Sequence, residues 1–369
     1  MLTDNAASRA GGILTIDLPA IQANYRRLLQ ELRGVPCAAV LKANAYGLGD
    51  AEVAPAFWSA GARDFFVALP DEGLRLRRLL PDATIYILGG LFEDAEEDYF
   101  ASRLTPVLNT LEEVRRWSAF AQRKEQRLPA ALQTDSGMSR LGMPDHEVHA
   151  VREEPDLVAP LDLRLIMSHL ACADEPEHEL NREQLVSFRR ARDLFPEVPA
   201  SLANSSGIFL GPDYHFDLGR PGVALYGVNP TPQRSSPMQP VVRLQARVLQ
   251  VRSIDAGRGV GYGASFRARQ PARIATIALG YADGFLRHLS GQGSVWFNGV
   301  RLPLAGRVSM DVSGVDITAL PEDSLKPGDF VDVLGPDQSV DDLAAQAGTI
   351  GYEILTALGQ RYHRIYRSA

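Results

Sequence analysis

Residues 37–49 read Cys-Ala-Ala-Val-Leu-Lys-Ala-Asn-Ala-Tyr-Gly-Leu-Gly, a short apolar run that stops on a lysine and passes into a turn of small residues. A run this short, bounded by turn chemistry, reads as a buried strand. Others of the same kind follow at Phe65 to Leu69, Ile85 to Leu88, Thr105 to Leu108, Ala130 to Thr134, Leu163 to Ser168, Ala200 to Ala203 and Phe216 to Leu218, making eight with Cys37 to Leu41. Segments of helical character lie between most of them, at Asp71 to Leu80, Leu111 to Gln126 and Asn181 to Phe195. A further helix precedes them all: Ile21, Tyr25, Leu28, Leu29 and Leu32 have helical spacing after Pro19, and Gly34 stops the pattern. Strand and helix in alternation predict an α/β fold of βα units on a parallel sheet, and eight units predict a closed (β/α)8 barrel of the TIM type.

The stretch Asn229 to Pro240, NPTPQRSSPMQP, is dense in proline and hydroxyl residues and has no periodicity, as expected of a linker. Beyond it the texture changes to strands at Val242 to Val251, Ile274 to Leu279, Val295 to Phe297, Val312 to Ile317 and Phe330 to Leu334, with a helix near Tyr352 to Leu358. The reading is therefore a barrel domain over residues 13–235 and a mostly β C-terminal domain over 236–369, against which segment 1–12 is expected to pack. A chain of 369 residues with 45% hydrophobic content can bury two cores.

A net charge of −7 without long like-charge blocks gives no footprint for nucleic acid and no polybasic membrane patch. Two cysteines, Cys37 and Cys172, are too few for a disulfide framework and are read as packing residues. With no secretory signal and no apolar run long enough to span a bilayer, the expectation is a cytoplasmic protein acting on small molecules.

In such barrels the active site lies in the loops at the carboxyl ends of the strands. Lys42 closes the first strand, where desolvation lowers an amine's pKa and makes it a nucleophile able to form a Schiff base. Taken alone, it reads first as a lysine laying its stem along the strand edge. The fifth strand runs into Gln133-Thr134-Asp135-Ser136-Gly137-Met138-Ser139-Arg140, where glycine permits a tight loop that turns Arg140 inward to hold a carboxylate, or simply a turn. The sixth ends at His169, elsewhere usually a core residue. The seventh and eighth end at Ala203-Asn204-Ser205-Ser206-Gly207 and Leu218-Gly219-Arg220-Pro221-Gly222-Val223, the loops that in barrels often bind phosphate; Ser205, Gly222 and Val223 suit that role.

These loops occur together, in this order, and here the sequence resembles the alanine racemase family. The resemblance covers Val40 to Gly49, Asp135 to Gly142, Met167 to Asp174, Asn204 to Gly207 and Arg220 to Gly227. It continues through Val260-Gly261-Tyr262-Gly263, Leu279 to Gly284, Gly306-Arg307-Val308-Ser309-Met310-Asp311 and Gly351-Tyr352-Glu353-Ile354. It implies a pyridoxal 5'-phosphate-dependent isomerase that interconverts L- and D-alanine, for peptidoglycan supply or alanine catabolism, with Lys42 carrying the cofactor. It calls for no metal.

The resemblance also implies two catalytic bases, Lys42 on one face of the substrate and Tyr262 on the other. Tyrosine ordinarily titrates at about 10, so His169 and Arg220 are expected to assist Tyr262 through a hydrogen-bonded chain. Tyr46, Asn204, Ser205, Gly222, Val223 and Tyr352 join His169 and Arg220 around the cofactor, with Arg220 toward its ring nitrogen. Arg140 and the backbone of Met310 would take the substrate carboxylate. Asp174, Tyr281, Arg287, Arg307, Asp311 and Ile350 would line the entrance, and Tyr262 and Met310 would reach the barrel of a partner subunit, which makes the active form a homodimer.

One position departs from the family pattern. Where many relatives place a lysine that can be carbamylated beside the substrate arginine, this chain has Gln133. An amide cannot take up carbon dioxide in that way, so the Gln133 carbonyl oxygen, or an anion such as chloride, is expected to orient Arg140.

Three competing readings are set against this one. A decarboxylase of the same plan wants an acidic partner for the ring nitrogen, against which Arg220 stands. A non-catalytic cofactor carrier resembles the barrel alone. A racemase of wider range would act on serine or basic amino acids.

Overall fold

The structure is a computed structural model describing residues 6–368. Residues 1–5 of the segment expected to pack on the C-terminal domain lie outside the described residues. The chain forms two compact units, one of residues 21–239 and one of residues 1–20 with 240–369.

The earliest strand is β1 (Gly12–Asp17), followed by a helix over Leu18–Glu31 whose first turn is capped by Asp17 Oδ1 accepting from Ala20 N at 2.8 Å. Next come β2 (Ala39–Val40), β3 (Asp64–Val67), β4 (Thr84–Ile87), β5 (Leu104–Leu108), β6 (Leu128–Gln133), β7 (Leu161–Met167) and β8 (Ala200–Ser201). These seven pair in parallel in chain order.

The eighth stave is not a regular strand, yet it closes the ring. Gly219 N donates to Pro36 O and Ala38 N to Gly219 O, both at 2.9 Å, while on the other side Asp217 N donates to Ala200 O and Arg220 N to Ala203 O, also at 2.9 Å. Cys37 and Gly219 form a parallel bridge. The predicted (β/α)8 barrel is therefore present, with its last segment hydrogen-bonded on both edges.

Inside and around the staves the apolar residues that marked them in the sequence are buried, among them Phe65, Phe66, Ile85, Ile87, Val107, Ala131 and Ile166. Helices over Pro70–Leu79, Leu111–Arg123 and Glu179–Asp193 fall where periodicity predicted them. Thr110 caps the second of these, its Oγ1 accepting from Glu113 N at 3.1 Å.

The other unit is a mostly β structure. Its strands are β9 (Val242–Ile254), β10 (Gly259–Val260), β11 (Phe266–Arg267), β12 (Ala272–Ile277), β13 (Ser294–Phe297), β14 (Val300–Pro303), β15 (Ser313–Asp316), β16 (Phe330–Leu334) and β17 (His363–Arg367). The main sheet runs β14-β13-β16-β9-β1-β17, and β12 joins β9 to β15. The long β9 holds the centre because Val242, Leu244, Ala246 and Val248 alternate into the core. Helices over Val340–Ala347 and Gly351–Thr356 complete the unit. Among the described residues no helix is long and apolar enough to cross a membrane.

Candidate active site

β2 delivers Lys42 to the carboxyl-terminal face of the barrel, half-buried. The turn behind it is unusual. Ala43, Asn44, Ala45 and Tyr46 have φ of 55°, 54°, 53° and 53°, four consecutive non-glycine residues in the left-handed region. L-residues there cost about 1–2 kcal/mol each, so the turn must be held from outside. Ala43 N donates to Glu72 Oε1 at 2.7 Å and Asp50 N donates to Asn44 Oδ1 at 2.9 Å.

Burial lowers the pKa of Lys42, and the Arg140 guanidinium lowers it further while Glu72 opposes the shift. The amine is thereby biased toward its neutral, nucleophilic and basic form.

Three further basic groups stand in the same field. His169, at the end of β7, is pushed down to about 3 by burial and by the charges of Arg220, Arg140 and Lys42, so it is a neutral imidazole near pH 7. Arg220 is buried and is pushed down to about 9 by that burial, which leaves it cationic at neutral pH. Its Nη1 meets Ser201 Oγ and its Nη2 donates to Ser168 O at 2.6 Å. Among the described hydrogen bonds none joins it to His169, on which it acts through its charge.

The Arg140 loop is shaped by Asp135, whose Oδ1 accepts from Gly137 N, Met138 N and Ser139 N at 2.9, 3.0 and 3.1 Å. Arg140 itself is exposed, and Gln133 is buried beneath its loop at the end of β6.

Next to β2 around the ring, the loops after β8 and the eighth stave pack together. Ser205 Oγ accepts from Gly222 N at 2.9 Å and from Ala224 N at 3.2 Å, and Asn204 Oδ1 accepts from Gly207 N at 2.9 Å. Val223 opens a buried turn, Val223–Tyr226. Tyr46 stacks on Tyr226 with ring centroids 4.7 Å apart, and Tyr226 donates to Val40 O at 2.8 Å. Asp174 is exposed in the loop after β7.

The remaining predicted residues belong to the mostly β unit. Tyr262 is 71% exposed in a turn between Gly261 and Gly263, whose φ values are 69° and 70°. The Arg307 guanidinium lies against Gly263. Tyr281 N donates to Ser309 O and Ala282 N to Met310 O, both at 3.0 Å, which joins the Tyr281 and Met310 loops. Tyr281, Met310, Ile350 and Tyr352 are all exposed apolar side chains, with exposed Arg287, Arg307 and Asp311 among them.

Some supporting groups were not read from the sequence. Arg361 bridges Asp283 at 2.7 Å and Asp311 at 2.6 Å, so it anchors the loops of Tyr281 and Met310. Gln184 is fully buried on the Glu179–Asp193 helix; its Nε2 donates to His169 O at 2.9 Å and its Oε1 accepts from Ala171 N at 2.8 Å. Its helical spacing from Phe188 and Ala191, on the apolar face of that helix, was the available signal for Gln184. For Arg361, distant from its partners in sequence, there was none.

Comparison with known proteins fits this layout. The alanine racemase N-terminal domain model matches residues 16–230 and the alanine racemase C-terminal domain model matches 241–366. The chain belongs to the alanine racemase family. A relative from Mesorhizobium japonicum, a catabolic alanine racemase, is 55% identical over 97% of this chain and 93% of its own length. The alanine racemase of Brucella abortus is 48% identical over 97% of this chain and 94% of its own. The crystal structure of alanine racemase from Bartonella henselae, which carries covalently bound pyridoxal phosphate, superposes with a TM-score of 0.94 at 45% identity, covering 97% of this chain and all of that one. The biosynthetic alanine racemase of Pseudomonas aeruginosa superposes with a TM-score of 0.90 at 37% identity over the same share.

Proposed function

We propose that the protein is an alanine racemase that uses pyridoxal phosphate bound through Lys42 and acts as a cytoplasmic homodimer, with the barrel unit as the cofactor domain and the mostly β unit, which takes in β1 as well as the chain after residue 239, as the domain that supplies Tyr262. The observation that carries the reading is that the turn after Lys42 meets the loop after the eighth stave, where Gly222 packs directly under the Tyr46 hydroxyl, with burial and the Arg140 guanidinium lowering the pKa of the lysine. Such a face calls for an anionic ligand that also presents an electrophile to a neutral amine.

The residues fit that cofactor. Tyr46, Ser205, Gly222 and Val223 would hold its phosphate, with Tyr352 and Asn204 beside them, and a Cβ at Gly222 would fill the space in front of the Tyr46 hydroxyl. Arg220 would serve its ring nitrogen; a group that is cationic at neutral pH there disfavours protonation of the ring and restrains side reactions. When bound, the group supplies the electron sink that acidifies the Cα–H bond of the amino acid.

The protein's own work is orientation and proton transfer. Arg140, with the backbone of Met310, holds the substrate carboxylate and so fixes which faces of Cα are presented. Lys42 Nζ takes or returns the proton on one face and Tyr262 Oη does so on the other. Neutral His169 and cationic Arg220 assist the ionisation of Tyr262. Asp174, Tyr281, Arg287, Arg307, Asp311 and Ile350 narrow the approach, which favours a small substrate.

The exposure of Tyr262, Met310, Ile350 and Tyr352 on one unit, and of Leu69, Phe92 and Leu141 on the other, supports pairing with a second copy of the chain. The free thiols Cys37 and Cys172 suit a reducing compartment.

The test is chiral chromatography of L-alanine, L-serine and L-lysine after incubation with the protein and pyridoxal phosphate. D-Alanine forming fastest is expected. Carbon dioxide and an amine in place of the D-isomer would overturn the reading in favour of a decarboxylase.

A further inference from the structure

Glu72 occupies the third position of the Pro70–Leu79 helix, where a carboxylate ordinarily caps its own helix. One of its oxygens does so: Oε2 accepts from Ala68 N at 2.8 Å and from Leu69 N at 3.1 Å. The other has no part in the cap. Oε1 reaches back to the preceding βα loop and accepts from Ala43 N at 2.7 Å, the first N–H of the left-handed turn that follows Lys42.

We infer that Glu72 is a positioning residue for Lys42: its carboxylate ties the end of β3 to the left-handed turn after β2 and so fixes the direction in which the Lys42 amine leaves the barrel rim. The inference rests on the role of Lys42 proposed above. Four non-glycine residues at φ near 54° would relax to the right-handed region without an outside anchor. A carboxylate suits both sides of the bridge because each oxygen is purely an acceptor. Glutamine would turn an N–H donor toward one of the N–H groups, and aspartate is one methylene short.

The charge matters as well as the geometry. The Arg140 guanidinium lowers the Lys42 pKa, and Glu72 is the group that opposes it. Loss of its charge lets the Lys42 amine deprotonate at lower pH.

Hydrogen–deuterium exchange of the intact cofactor-loaded protein, read by mass spectrometry over residues 42–47 and 67–70, is the first readout. Both segments are expected to be protected; free exchange at Ala43, Ala68 and Leu69 overturns the inference without any variant having to fold. In Glu72→Gln, exchange over 42–47 should accelerate, kcat should fall about 10- to 100-fold with KM little changed, as for a reacting group misplaced by an ångström, and the acidic limb of kcat should move to lower pH. Adding Ala43→Gly, which adopts the left-handed turn without strain, should restore part of kcat. Unaltered exchange, rate and pH limb in Glu72→Gln, or no recovery in the double variant, contradicts the assignment. The exchange result stands even if alanine is not the substrate, so failure of this inference and failure of the proposed reaction are separable.

Discussion

Gly222 lies so close beneath Tyr46 that a Cβ on the glycine would overlap the tyrosine hydroxyl. Tyr46 cannot withdraw, because its ring stacks on Tyr226, which is itself buried and bonded to Val40 O at 2.8 Å. Gly222→Ala should therefore distort the loops that meet here at a cost of about 1–3 kcal/mol of overpacking. Dialysis followed by measurement of bound cofactor should show roughly tenfold weaker retention or more. Adding Tyr46→Phe, which removes the colliding oxygen, should recover part of the loss; full retention in Gly222→Ala would mean that these loops do not hold the phosphate.

The pH dependence of kcat follows from the Lys42 environment. Burial and Arg140 lower the Lys42 pKa, so the free amine is populated below the ordinary lysine value of about 10.4. Activity should rise with pH through that lowered value. Arg140→Gln removes a neighbouring cation, raises the Lys42 pKa and should move the limb to higher pH, while KM for alanine rises. His169, held down at about 3, is already neutral and should add no inflection near about 6.5. An inflection there that vanishes in His169→Gln would contradict this picture.

Much of this arrangement was legible in the sequence, and the exceptions have physical causes. The strand ends carrying Lys42, Arg140, His169, Ser205 and Arg220 could be read because buried parallel strands are continuous apolar runs that stop abruptly at polar loops. The fold of the second unit was read less fully. β1 and β17 pair in parallel from opposite ends of the chain, and β17, His-Arg-Ile-Tyr-Arg, carries too much charge to look like a strand. The Val340–Ala347 helix had a signal that was passed over, Ser339 accepting from Asp342 N three residues on at 3.1 Å. The left-handed turn at residues 43–46 had only Asn44 to mark it, a residue that visits positive φ more readily than most, and the alanines and tyrosine beside it carry no such signal.

Tyr262→Phe separates the two proposed bases. Exchange of the α-proton for deuterium should fall by about 10²-fold or more for one enantiomer of alanine, the scale of a lost general base, and much less for the other. Nuclear magnetic resonance of each pure enantiomer in heavy water reads the two rates. Equal losses would undo the assignment of one base to each face.

Gln133, buried under the Arg140 loop, cannot form a carbamate. Racemisation should be the same in degassed, bicarbonate-free buffer as in buffer with added bicarbonate. A clear dependence on bicarbonate would show that carbon dioxide acts elsewhere in the site.

The most direct measurement is to incubate the cofactor-loaded protein with L-alanine in heavy water, resolve the enantiomers and score deuterium at Cα. The account predicts D-alanine carrying deuterium, with loss of both the product and the protein-linked cofactor absorbance in Lys42→Ala. Absence of D-alanine, or D-alanine that retains its original hydrogen throughout, would contradict proton exchange between Lys42 and Tyr262 across the substrate.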